Sequence, residues 1–205
     1  MEGSMMDTFR ILCIGNSHTA GFPDFDPMMG GNPESSYQHW LKKGLLKTHP
    51  EKDFNIMNEG ICGDTSRGIV LRLIDALGSM QQPDLVLLAG GTNDLGMTGE
   101  SQIVANLEEG YEACRKSEVL LIATSVPPIS LYEYVARVKT VNSSIERYTS
   151  HYQNVFFADW FGALKDTQGF LDDKCNSGDG VHLSVEGYKR IGSLLGPIVS
   201  EALSL

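Results

Sequence analysis

Residues 11–19 read ILCIGNSHT, so a run of four apolar residues passes directly into a polar segment. A short run that is apolar at every position is typical of a strand buried on both faces of a parallel sheet. Ser17 follows this predicted strand within three residues, where its hydroxyl is expected to lie beyond the edge of the sheet. The stretch therefore predicts an α/β fold with a polar site at the carboxyl end of its first strand.

Similar apolar runs recur along the chain, and amphipathic segments separate them. The further runs lie at residues 54–57, 85–89, 119–123 and 155–158. Residues 69–77 and 103–114 each repeat apolar residues at a spacing of three to four, which predicts helices with one buried face. This alternation predicts a three-layer α/β/α fold around a mostly parallel five-stranded sheet.

Two further segments complete this prediction. Residues 185–205 indicate a C-terminal helix, which Pro197 should bend or end. Residues 21–36 hold three prolines and several glycines, which favours an irregular excursion after the first strand.

Length and charge limit the domain organisation and the partners. A chain of 205 residues can close one hydrophobic core, and we expect a single domain over residues 5–205. The net charge of −10 should repel nucleic acids and anionic membranes. Neither a signal peptide nor a membrane-spanning run is evident, so we expect a cytoplasmic protein that meets a small-molecule substrate in water.

The cysteines and histidines do not show the spacing of a metal site. Four cysteines, Cys13, Cys62, Cys114 and Cys175, lie far apart without a C-x-x-C pair. We expect them to be buried, reduced thiols. The pattern implies no metal, nucleotide or flavin cofactor.

Three residues could form a nucleophilic triad. Ser17 is a candidate nucleophile, and Asp179 precedes His182 by three residues in a glycine-bounded loop. A carboxylate on one ring nitrogen fixes the histidine tautomer and leaves the other nitrogen free to accept the serine proton. Taken singly, each has a plainer interpretation: Ser17 caps a helix, Asp179 forms a turn and His182 begins a helix.

Candidate donors to an oxyanion follow the second and third strands. Gly63 allows the backbone to approach a bound carbonyl closely, and Asn93 offers an uncharged N–H beside the amide of Ser17. Both residues could instead be ordinary turn residues.

Taken together, four ordered blocks resemble the signature of the SGNH, or GDSL-like, hydrolases. The blocks are residues 15–19 (GNSHT), 63–66 (GDTS), 91–94 (GTND) and 179–182 (DGVH). The resemblance spans nearly the whole chain and implies a flavodoxin-like sheet. It also implies that Ser17 is the nucleophile, that Gly63 and Asn93 are oxyanion donors, and that Asp179 and His182 complete the triad. Residues 57–66 look like the thioesterase I and lysophospholipase branch of the family.

One residue departs from the family pattern. The usual Gly-Asp-Ser is here Gly-Asn-Ser, so Asn16 keeps the size and hydrogen-bonding reach of aspartate without its charge. His18 follows the nucleophile and could line the substrate pocket.

These features predict a serine esterase or thioesterase that works through an acyl-enzyme on a small or lipid-derived acyl group. A carbohydrate acetyl esterase and a catalytically silent binding domain of the same fold are the alternatives. An α/β-hydrolase is disfavoured because no Gly-x-Ser-x-Gly elbow surrounds Ser17. A cysteine hydrolase built on Cys62 is disfavoured because no second histidine lies in a comparable loop.

Overall fold

The computed structural model describes residues 8–78 and 81–205. Its main sheet has five parallel strands in the order β4-β1-β5-β6-β7, which confirms the predicted three-layer fold and its flavodoxin-like strand order. The strands are β1 (Thr8–Gly15), β4 (Asp53–Gly60), β5 (Leu85–Ala89), β6 (Leu120–Thr124) and β7 (Val155–Ala158). All five predicted strands are thus present.

Seven helices accompany the sheet in the described part of the chain. They are α1 (Ser17–Ala20), α2 (Tyr37–Thr48), α3 (Ser66–Leu77), α4 (Glu100–Lys116), α5 (Tyr132–Thr149), α6 (Trp160–Leu164) and α7 (Val185–Ala202). The two helices predicted from their apolar stripes correspond to α3 and α4.

The strands alternate their side chains between two cores. Along β1, Ile11 and Cys13 enter one core with α2, α6 and α7. Leu12 and Ile14 enter the other with α3, α4 and α5. Because successive residues of a strand point to opposite faces, a run that is apolar throughout is needed when helices cover both faces.

The excursion after β1 is more ordered than its composition suggests. It contains a two-residue antiparallel pair, β2 (Phe25–Asp26) with β3 (Gly30–Gly31), and a 3₁₀ turn at Pro33–Ser35. The sequence did not reveal this small hairpin, because two-residue strands leave no periodicity to detect.

The prediction that Pro197 could end the last helix is wrong, since α7 continues to Ala202. Pro197 is exposed, and so is Ser193, whose carbonyl loses its helical hydrogen bond to the missing N–H of proline. Water can donate a hydrogen bond to that carbonyl, so the helix tolerates a proline at position 197.

Candidate active site

Three polar segments leave the sheet side by side. Gly15, the last residue of β1, lies in register with Gly60 at the end of β4 and with Ala89 at the end of β5. The strand order reverses between β1 and β5, and in open α/β sheets this switch point is where ligands bind. Ser17 therefore begins its helix at the centre of the edge where a site is expected.

Ser17 is the first residue of α1, and Asn16 is the cap. The Asn16 side chain accepts a hydrogen bond from the His18 amide at 3.1 Å. The alternative in which Ser17 only caps a helix is therefore not observed, and the Ser17 hydroxyl is available for another partner. The Ser17 amide belongs to the first turn, where backbone N–H groups have no partner within the helix.

Gly60 allows α1 to sit directly on the strand ends. A Cβ atom at Gly60 would lie 2.0 Å from the backbone nitrogen of Ala20, closer than any real contact. Only glycine therefore fits here, and the short helix that carries Ser17 is pressed against β4.

Ser17, His182 and Asp179 form a continuous hydrogen-bonded chain. The Ser17 hydroxyl oxygen lies 3.1 Å from His182 Nε2, and His182 Nδ1 lies 2.6 Å from Asp179 Oδ2. A carboxylate can only accept, so the proton resides on Nδ1 and Nε2 is left to accept from the serine. The arrangement has the donor and acceptor order that a serine nucleophile and its base require.

Asp179 has two roles, one for each carboxylate oxygen. Oδ1 accepts from the amides of Val181 and His182 at 2.9 and 2.8 Å, whereas Oδ2 faces the imidazole. The turn geometry of Asp179 and its contact with the His182 imidazole thus occur together. Partial burial by itself would raise the pKa of Asp179, but the hydrogen bonds from His182 and Val181 lower that pKa to about 2. The carboxylate is therefore ionised at neutral pH.

His182 precedes the last helix without beginning it. Ser184 caps α7 by accepting a hydrogen bond from the Gly187 amide, two residues after His182. The His182 ring packs in a T-shaped arrangement with Phe22 at a centroid separation of 4.6 Å.

The structure places the candidate oxyanion donors on neighbouring loops. Gly63 is exposed, with a left-handed φ of 79°, in the loop that follows β4. Asn93 opens a 3₁₀ turn after β5, and its side-chain amide donates to the Asp64 carbonyl at 2.8 Å. This bond ties the two loops together and leaves the second N–H of Asn93 for another acceptor.

Polar contacts that the sequence did not predict hold these loops together. Asp64 accepts from Arg72 at 2.7 Å, and Arg72 also donates to the carbonyls of Gly15 and Glu59. Asp94 is buried and accepts from both the amide and the hydroxyl of Ser66. Asp64 and Asp94 lie within the motif blocks at residues 63–66 and 91–94, which was the available signal. Arg72, eight residues after Asp64, lies in no motif block.

The sequence allows His18 to line the substrate pocket, but the structure places it in the interior. Its side chain is buried, and its Nε2 lies 2.9 Å from the Val181 carbonyl. The hydrogen bond therefore joins α1 to the loop that carries Asp179 and His182.

The four cysteines are free thiols, and three of them are buried as expected. Cys62 is the exception because it is exposed in the loop after β4. Burial of its sulfur and the negative charge of Asp26 raise the pKa of the Cys62 thiol, which disfavours the nucleophilic thiolate. Among the described residues, no cluster of three His, Cys, Asp or Glu side chains is arranged to hold a metal ion.

Four exposed apolar side chains lie on the loops that follow the strands at the carboxyl edge of the sheet. Phe22 contacts His182, Ile61 lies two residues before Gly63, and Met97 lies four residues after Asn93. Leu131 follows Ser130, whose amide donates to the Gly180 carbonyl at 2.7 Å. These four side chains, which we call the apolar rim, come from four different loops at the carboxyl edge of the sheet.

Comparison with known proteins assigns the family. Residues 13–190 match the model of the GDSL-like lipase/acylhydrolase family, so the chain belongs to that family. Esterase TesA of Pseudomonas aeruginosa is 28% identical over 143 residues, which cover 68% of this chain and 66% of that protein, slightly less than two thirds of its length.

Solved structures show the same fold. The lipase/acylhydrolase from Enterococcus faecalis matches with a TM-score of 0.77 at 20% identity, over 94% of this chain and 96% of that one. A carbohydrate esterase family 3 structure from Talaromyces cellulolyticus matches with a TM-score of 0.69 at 19% identity, over 96% and 99% of the two chains. Among residues 8–78 and 81–205, none of the helices is both long and apolar enough to cross a membrane.

Proposed function

We propose that this protein is a serine esterase or thioesterase that hydrolyses an acyl ester or thioester through an acyl-enzyme on Ser17. The observation that carries the proposal is the chain of contacts from Ser17 through His182 to Asp179, at 3.1 and 2.6 Å. Membership of the GDSL-like family supports the same reaction class.

In the proposed first half-reaction, Ser17 Oγ attacks the acyl carbon while His182 Nε2 takes the hydroxyl proton. The negative charge moves to the carbonyl oxygen, and ionised Asp179 stabilises the imidazolium that forms. Collapse of the tetrahedral intermediate expels the alcohol or thiol, which receives the proton from His182. In the second half-reaction, His182 activates water, and the same steps release the acid and free Ser17.

The proposed oxyanion hole consists of the amides of Ser17 and Gly63 and the side-chain amide of Asn93. Donors fixed before the reaction stabilise developing charge more than the neutral ester. The bond from Asn93 to the Asp64 carbonyl supports this role because it holds the side chain without using both of its protons.

The apolar rim supports an acyl group with hydrocarbon character. Phe22 is 38%, Ile61 48%, Met97 75% and Leu131 39% exposed, so they can contact a bound acyl chain. Each Å² of apolar surface that substrate binding removes from water contributes about 25 cal/mol. A medium or long acyl group is therefore favoured over acetate, which in turn favours the thioesterase or lysophospholipase interpretation over a carbohydrate acetyl esterase.

A panel of substrates tests this proposal. It comprises p-nitrophenyl esters from acetate to palmitate, acyl-CoA of matched chain lengths and acetylated xylose, with Ser17→Ala as the inactive control and Cys62→Ser as the active one. We expect kcat/KM to rise with acyl length for the wild type and for Cys62→Ser. Preference for acetylated xylose would favour the carbohydrate esterase, and no turnover of any substrate would favour a silent binding domain.

We also propose a cytoplasmic location. Four free cysteines support it, since oxidising compartments favour disulfides.

A further inference from the structure

Two consecutive residue pairs connect the nucleophile's helix to the acid and base loop. Ser17 Oγ lies 3.1 Å from His182 Nε2. His18, which follows Ser17, places its Nε2 2.9 Å from the carbonyl oxygen of Val181, which precedes His182. Only the first pair can take part in chemistry, because the second joins a buried ring to a backbone carbonyl. The second pair lies one residue away from each partner of the first.

We propose that His18 is a positioning residue that holds the Asp179–His182 loop in register with Ser17 through its hydrogen bond to the Val181 carbonyl. This inference rests on the proposed function of Ser17 and His182. A side chain that anchors Val181 also restricts His182, because the two residues are adjacent in the chain. This restriction matters because a displacement of about 1 Å in a reacting group can cost on the order of 100-fold in rate.

The contacts of His18 exclude a role as a second base. The Val181 carbonyl can only accept, so Nε2 must carry the proton and is committed to that bond. The ring is 1% exposed, and its centroid lies 5.6 Å from that of His182. His18 therefore contacts the base and its loop without reaching substrate.

Asn16 caps the turn that carries His18. Its side-chain oxygen accepts from the His18 amide at 3.1 Å. The same oxygen lies 3.3 Å from His18 Nδ1, which has no proton to donate while Nε2 donates to Val181. Burial lowers the pKa of His18 to about 4, and the positive charge of His182 acts in the same direction, while the Val181 carbonyl and Asp179 oppose it. Aspartate at position 16 would place a carboxylate beside Nδ1 and favour a second ring proton. Asparagine at position 16 therefore favours a second ring proton less than aspartate would.

Substitutions of His18 that keep or remove the donor test the proposal. In His18→Gln, the amide nitrogen is separated from Cα by as many bonds as Nε2 of histidine, so it can reach Val181. His18→Leu fills similar space without a donor. His18→Asn places its amide nitrogen one bond closer to Cα, too short to reach Val181, and replaces the leucine variant if that variant does not fold. Gln38→Leu is the matched control, since Gln38 is buried and donates to the Thr19 carbonyl on the same helix but does not contact the loop.

We expect His18→Leu or His18→Asn to lower kcat by about 10- to 100-fold with KM within about twofold. His18→Gln should stay within about threefold of wild type, and Gln38→Leu should lose thermal stability while keeping kcat. The low-field proton resonance of His182 Nδ1–H should broaden in His18→Leu and persist in His18→Gln and Gln38→Leu.

Unchanged kcat in His18→Leu and His18→Asn would overturn the positioning role, as would equal losses of kcat in His18→Leu and Gln38→Leu. If the wild type hydrolyses none of the panel esters, the proposed function fails. The comparison of His182 Nδ1–H resonances still tests the positioning role in that case, because it needs no substrate.

Discussion

The two halves of the candidate site are held in place by different forces. Ser17 is 4% exposed on a helix that is pressed against Gly60 and backed by the sheet. Asp179 lies in a loop between two glycines with 48% of its side chain exposed, and hydrogen bonds to Val181 and His182 fix it. The nucleophile is thus positioned by packing, and the acid and base by polar contacts.

This difference separates the expected effects of mutation. A change beneath the nucleophile alters a packed interior and should reduce stability before it reduces chemistry. A change in the acid and base loop removes an exposed or half-buried polar contact, which contributes little to stability but determines the tautomer and position of His182.

Asp179→Asn should have the largest catalytic effect. The asparagine oxygen can still accept from the Val181 and His182 amides, so the turn remains, but its amide nitrogen would face His182 Nδ1. The imidazole must then present a lone pair at Nδ1 and its proton at Nε2, which prevents it from accepting the serine proton. We expect kcat to fall by about 10³- to 10⁴-fold with little change in melting temperature, as measured by steady-state kinetics and calorimetry. Near wild-type turnover would show that Asp179 is only a turn residue.

Asn93→Ala should lower kcat by about 10²- to 10³-fold with little change in KM, because the lost donor acts on charge that develops in the transition state. Asn93→Asp should be worse, since its carboxylate would face both the oxyanion and the Asp64 carbonyl, 2.8 Å from the present amide nitrogen. Kinetics combined with melting curves separate the roles. If Asn93→Asp matches wild type and the alanine variant fails only through instability, the oxyanion role is refuted.

Gly60→Ala tests the packed half. Its Cβ would meet the Ala20 backbone nitrogen at 2.0 Å, so we expect a loss of about 3 kcal/mol in the free energy of unfolding. Gly44→Ala is the control, because Gly44 lies in α2 with open space around the added Cβ and should gain about 0.5–1 kcal/mol. Urea unfolding measures both values, and a neutral Gly60→Ala would contradict the close contact.

Acid should weaken the native state through His18. Its native pKa of about 4 lies below the value of about 6.5 for an unfolded histidine, so the unfolded chain binds the proton first. The contribution of His18 to the free energy of unfolding is fully present above pH 6.5. It falls as the pH drops toward 4, by about 2 kcal/mol between pH 6.5 and 5. Urea unfolding across this range should show that loss in the wild type and not in His18→Gln. Equal slopes in the two proteins would be evidence against a buried neutral imidazole.

The sequence predicted the five strands and the helices α3, α4 and α7, because apolar runs and helical stripes record which faces are buried. It also predicted Ser17, Asp179 and His182, whose order along the chain follows the family motif. It did not predict the interior position of His18 or the role of Arg72, which bonds to Asp64 and to the ends of two strands. The bonds from His18 to Val181 and from Arg72 to Gly15 join residues far apart in sequence, so they depend on tertiary packing that no local pattern encodes.

Covalent labelling with a fluorophosphonate tests the central claim most directly. The reagent reacts with a serine only when a base activates it and donors stabilise the developing charge. We predict one adduct per chain, which peptide mass spectrometry locates at Ser17, and a labelling rate that falls steeply in Asp179→Asn. An adduct at another residue, or labelling of Ser17→Ala at the wild-type rate, would contradict the assignment of Ser17 as the nucleophile.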